Sequence, residues 1–133
     1  MVKSNQLVAF GGVLAGIGVA LGAFAAHGLK KVLSSYLIEV FNTGVQYQFV
    51  HALAILLCGV LIRSSLTEKS QKYFALAAIC FIIGIFCFSG SLYALALTGI
   101  KWFGPITPFG GVTFMLGWGL FVFAALHNKE VNQ

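Results

Sequence analysis

Four long apolar stretches alternate with short hydrophilic ones along the chain, and one of them carries polar groups far into its length. The first, residues 7–26, is an uninterrupted run of about twenty residues, the length a helix needs to cross a hydrocarbon layer of roughly 30 Å. His27-Gly28-Leu29-Lys30-Lys31 ends it, with Gly28 supplying a reversal and the lysines marking water or headgroups. Ser34 or Ser35 then caps a second helix. From Tyr36 the pattern is amphipathic: Phe41, Val45, Phe49 and Ala52 share one face, while Glu39, Asn42, Thr43 and Gln46 lie opposite. Tyr47, Gln48 and His51 flank that polar side. A helix continuing to Ile62 would be about 40 Å long, more than the hydrocarbon is thick. Either the first turns lie along the surface or the chain bends near Gly44, so the pattern predicts an interfacial or re-entrant segment over residues 35–44 leading into a second span over residues 45–62.

The hydrophilic stretch RSSLTEKSQK at residues 63–72 separates this from a third apolar run over residues 73–98. Residues 99–106 combine turn formers with Lys101 and Trp102, an interfacial anchor pair. Thr107 and Pro108 read as the cap and first position of a fourth span, residues 108–126, and residues 127–133 form a polar tail. The predicted fold is all-α: a single integral-membrane domain built as a four-transmembrane-helix bundle. Composition agrees, since 59% of the 133 residues are hydrophobic and 8% are charged. The mean hydropathy of +0.97 is more than a soluble domain of this size could bury.

Charge then sets an orientation. Lys3, Arg63, Lys69, Lys72 and Lys129 fall on the side of the termini, against Lys30, Lys31 and Lys101 on the other. That bias places both termini in the cytoplasm by the positive-inside rule, and it accounts for the basic surplus without nucleic acid as a partner. The first run superficially resembles a signal sequence ending in Ala23-Phe24-Ala25, but it is long for one, so a retained span is expected. Cys58, Cys80 and Cys87 lie within apolar runs without metal-ligand spacing, which reads as buried small hydrophobes and neither disulfides nor a metal site. No cofactor motif is present.

Two groups of residues stand out. In the first span, Gly12 and Gly16 are four apart, as are Gly18 and Gly22, a spacing that lets helix backbones approach closely. Such a face serves contacts within or between chains equally well, which admits a homo-oligomer. The second group is polar. His51 lies about 9 Å into the second span, Ser89, Ser91 and Tyr93 lie at similar depth in the third, and Gln46 and Gln48 neighbour them. Gln46, Gln48, His51, Ser89, Ser91 and Tyr93 form a candidate polar cluster, with His27, Glu39 and Asn42 as interface candidates.

Residues 22–29 (GAFAAHGL), 41–54 (FNTGVQYQFVHALA), 88–99 (FSGSLYALALTG) and 107–118 (TPFGGVTFMLGW) resemble the small integral-membrane family labelled domain of unknown function 423. The resemblance extends over nearly the whole chain. It implies a bacterial cytoplasmic-membrane protein of about four spans, and it supplies no catalytic residue to carry over.

His51 is an intramembrane ionisable group and so a functional suspect. Its simpler role is a neutral imidazole that joins helices. Proton transport would want an embedded carboxylate, yet the acids are Glu39, Glu68 and Glu130, none of them within an apolar run. A metal site from His27, His51 and Glu39 lacks any local spacing, and a serine with His51 lacks a recognisable nucleophile turn. The favoured expectation is a structural or interaction bundle without enzymatic activity. The alternatives are a small channel or transporter with a polar vestibule, and a binder of lipid or amphiphile between helices. No small-molecule or ion substrate is specified.

Overall fold

The computed structural model describes residues 3–65 and 67–128. Lys129 and Glu130 lie outside that range. Helix α1 spans Ser4–His27 and α2 spans Ser35–Ser64. Helix α3, Glu68–Gly84, passes through a π-helical turn at Ile85–Ser89 into α4, Gly90–Thr98, and these act as one long span. A 3₁₀ segment at Lys101–Ile106 leads directly into α5, Thr107–Leu126. Four helical stretches are long and apolar enough to cross a membrane. Ser4, Arg63, Thr67 and His127 meet at the lower end, and Ser34, Gly99 and Lys101 meet at the upper end.

Ser34 caps α2, its hydroxyl accepting from the Leu37 amide at 3.2 Å, and Thr67 caps α3 in the same way toward Ser70. Gly99, with φ +72°, closes α4 in the left-handed conformation that side chains resist. Thr107 is the first helical residue of α5 and not its cap, because the 3₁₀ segment already brings Ile106 into helical geometry.

The predicted interfacial or re-entrant segment at residues 35–44 is not found. Ser35–Ser64 is one continuous helix of 30 residues, about 45 Å long. Its upper turns have their own packing: Phe41 is buried against Tyr93 of α4, together with Ala25 and Leu29. The helix continues without a break through Gly44. A side chain there would meet the Tyr93 ring at 2.7 Å, so its bareness admits that ring.

Helix α1 packs along α2, α5 packs along α3 and the π turn, and α2 with α3 forms the middle pair. Half of the most apolar window of the third span is buried, against 22% for the first and fourth, as expected for inner and outer positions. The main core includes Leu7, Ile55, Cys58, Phe74, Phe81 and Phe114.

Of the glycines predicted to pack, Gly18 and Gly22 face Phe49 and Val45 of α2, whereas Gly12 and Gly16 face open space. The backbone contact between α1 and α2 falls one position away. A Cβ on Gly11 would stand 2.7 Å from the Ala52 carbonyl, and one on Gly59 would stand 2.8 Å from the Ser4 carbonyl. Neither helix can yield there without separating. Gly11→Ala should therefore cost about 1–3 kcal/mol, an overpacking penalty, while Gly12→Ala should leave stability unchanged or slightly raised. Equilibrium unfolding of the two variants in matched detergent micelles checks this, and equal losses would contradict the assigned face.

Candidate functional site

The six residues of the predicted polar cluster divide into separate arrangements. Gln48 sits at the centre. Its side-chain amide donates to the Leu14 carbonyl of α1 at 2.8 Å, and its Oε1 accepts from the Tyr93 hydroxyl of α4 at 2.7 Å. One glutamine thus joins three helices. The contact to α1 exploits a general property: a helical carbonyl already bonded to its own helix keeps a second lone pair.

Ser89 repeats the device, donating from the π turn to the Gly44 carbonyl of α2 at 2.7 Å. Ser70 repeats it from α3 to the Ala124 carbonyl of α5 at 2.8 Å. Ser91 instead turns toward α5, sharing a 2.6 Å hydrogen bond with Thr107 and contacting its own helix at Phe88.

His51 belongs to a different layer. Its Nδ1 donates to the Tyr47 carbonyl at 2.8 Å, and its Nε2 accepts from the Trp118 indole of α5 at 3.0 Å. A carbonyl only accepts and an indole N–H only donates, so these partners select the neutral ring with its proton on Nδ1. The ring stacks on Phe114 at a centroid distance of 3.6 Å, and Phe81 closes another side at 5.5 Å. Its polar partners are thus not the serines and tyrosine of the third span. Trp118 was missed in the sequence, where it reads as one more apolar residue of the fourth span.

Gln46 joins neither layer. It is exposed on the outer side of α2, beside a recess that Glu39 and Thr43 also line. His27 is exposed at the end of α1, and Asn42 lines a separate recess with Lys30 and Ser35. Among the described residues, no group of three His, Cys, Asp or Glu side chains gathers at metal-binding distance. No buried side-chain nitrogen or oxygen there lacks a hydrogen bond.

Between α2 and α5 runs a lateral groove of about 530 Å³, lined by Tyr47, Phe88, Phe114, Met115 and Trp118, with His51 at its base. Met115 is 68% exposed and Val112 59%, so the groove opens sideways, toward acyl chains.

Residues 21–111 match the family described as "Protein of unknown function (DUF423)". The UPF0382 membrane protein SAB0533 of Staphylococcus aureus is 40% identical over 117 residues, covering 88% of this chain and 92% of that protein. A UPF0382 membrane protein of Haemophilus influenzae is 38% identical over 97% of this chain and 98% of its own length. The UPF0382 inner membrane protein YgdD of Escherichia coli K12 is 36% identical over 97% and 95%. No solved structure matches the chain.

The central network predicts a measurable coupling. In a double-mutant cycle of Gln48→Leu and Tyr93→Phe, unfolding in bicelles should give an interaction energy of about 0.6 kcal/mol, with about 1.7 as an upper value. Strict additivity would mean that the 2.7 Å contact contributes nothing. The chain is thus an integral-membrane protein with an interior fastened by its own polar side chains, and it belongs to the DUF423/UPF0382 family.

Proposed function

We propose that this protein is a structural or interaction bundle of the bacterial cytoplasmic membrane, with both termini in the cytoplasm. It acts through contacts with membrane neighbours, further copies of itself included, and it neither conducts a solute nor catalyses a reaction. The observation that carries this reading is the consumption of the buried polar side chains. Both ends of Gln48 and both ring nitrogens of His51 are bonded within the chain. A permeating ion or proton would need those same atoms as ligands or relays. Ser89 and Ser91 are likewise engaged elsewhere, and neither hydroxyl is bonded to an imidazole nitrogen. The location rests on the membrane and inner-membrane relatives, and the orientation on the excess of lysine and arginine at the lower end.

Liposomes containing the purified protein should show no flux of protons, alkali cations or small neutral solutes above protein-free controls. His51→Ala should leave that result unchanged. It should lower stability by about 2–5 kcal/mol, because it empties an aromatic-sized site and orphans the Trp118 indole. Flux through the parent protein that His51→Ala abolishes would overturn the reading.

A second reading, lipid or amphiphile binding between helices, is favoured by the lateral groove. An acyl chain reaching Phe114 and Met115 would come within van der Waals range of Trp118. In a Trp102→Phe background, Trp118 is the sole tryptophan. Lipids brominated near the middle of the acyl chain should quench its fluorescence, and no quenching at any bromine depth would close the groove to lipid.

A further inference from the structure

The outward face of α2 is divided into two kinds of surface. Its lower half presents Val50, Leu53, Leu57 and Val60, each between 43% and 55% exposed. Its upper half continues the same line with Glu39, Thr43 and Gln46. Steps along this line alternate between three and four residues, the 3.5-residue average of a helix-to-helix seam. An exposed helical face often reads this way in lipid, so spacing alone assigns nothing.

Gln46 supplies the discriminating observation. It lies eleven residues from the start of α2, about 16 Å along the axis. Its neighbours Val45 and Tyr47 pack against Gly22 of α1 and Phe88 of the π turn, each more than one turn inside its own helix. The Gln46 amide is therefore well inside the length of the bundle, away from the helix ends. Among the described residues nothing hydrogen-bonds it, although every buried polar side-chain atom there has a partner. Acyl chains offer neither donor nor acceptor, and protein must satisfy such a group.

We propose that this face of α2 is the seam on which a second copy of the chain docks, with the two α2 helices parallel and Gln46 opposite Gln46. The inference rests on the interaction-bundle reading above and names its partner and surface. An amide carries both donors and an acceptor, so a two-fold axis lets two identical side chains satisfy each other. Copies inserted in the same direction place α2 parallel, which sets Val50, Leu53 and Leu57 against their own counterparts. A recess of about 470 Å³, walled by Tyr36, Glu39, Thr43 and Gln46 with Leu92 of α4, receives side chains of the second helix. That register also sets Glu39 opposite its own counterpart, at the exposed upper end of α2. A lone glutamine on such a seam fixes register, while the Val and Leu positions supply packing.

The test uses the full chain in native membranes. Single cysteines replace Gln46, Val50 or Leu53 on the seam, or Val13 and Val122 on exposed faces of α1 and α5, with Cys58, Cys80 and Cys87 changed to alanine. Oxidation should give disulfide dimers several-fold more efficiently at seam positions than at the two controls. With the native cysteines kept, subunit counting by photobleaching in nanodiscs should find dimers. Gln46→Leu should weaken them about 3- to 30-fold, because the residue is exposed and its loss removes the shared hydrogen bonds without unfolding the chain. Equal cross-linking at Val13 and Val122, or a Gln46→Leu dimer as tight as the parent, overturns the proposal. A parent that stays monomeric in flux-silent membranes overturns the seam alone and leaves the bundle reading standing.

Discussion

A hydrogen-bonding group placed in hydrocarbon has no solvent to fall back on, and the interior of this protein is arranged around that constraint. The four membrane spans are joined to one another by polar side chains of one span bonded to a carbonyl or side chain of the next. Gln48 connects α2 to α1 and α4, Ser89 connects the π turn to α2, and Ser70 connects α3 to α5. Trp118 returns from α5 to α2 through His51. These bonds can form only where backbones lie close, and the bare positions Gly11, Gly44 and Gly59 set that distance. Close approach and polar fastening are therefore one design seen from two sides: short side chains such as serine reach a neighbouring carbonyl because no Cβ holds the helices apart.

The π turn shows how the constraint reshapes a helix. Ile85, Ser89 and Tyr93 are spaced by fours, and all three point into the protein. In a regular helix each step of four advances the facing direction by about 40°, so the sequence would rotate away from α2. The wide turn at Ile85–Ser89 absorbs the accumulated rotation and returns Tyr93 toward Gln48. Its local distortion is offset by two hydrogen bonds to α2 that a straight helix would aim elsewhere.

Much of this architecture can be read in the sequence, and the limits follow from what periodicity encodes. The four apolar runs, the Ser34 cap and the Gly99 turn announce themselves through local chemistry. Residues 35–44 misled because their polarity was judged against lipid, whereas Phe41 and Ile38 pack against α4 and the turn after α1. Gly12 and Gly16 misled for the opposite reason, since spacing of four recurs on every face of a glycine-rich helix and only the neighbour decides which face is used. His51 was legible as a polar intrusion, but its partner was not. A tryptophan in an apolar run carries no local mark that its N–H is needed by another helix.

The polar layer also separates two apolar clusters. One gathers Ala25, Leu29, Phe41 and Ala96 at the upper end; the other extends from Leu7 and Ile55 through Phe81 to Phe114. Interhelical hydrogen bonds in membranes contribute only about 0.6 kcal/mol each, so these few bonds do not hold the bundle together against unfolding. Their effect is on alternatives. Sliding the third span by a turn, about 5.4 Å, would replace many leucine and phenylalanine contacts with similar ones, but it would break the Tyr93–Gln48, Ser89 and Ser70 bonds at once. Packing in lipid is tolerant of such shifts because a greasy side chain finds another greasy surface wherever it moves. The polar side chains are not tolerant, and the single register they permit is what fixes the lateral groove and the outward face of α2 as defined surfaces.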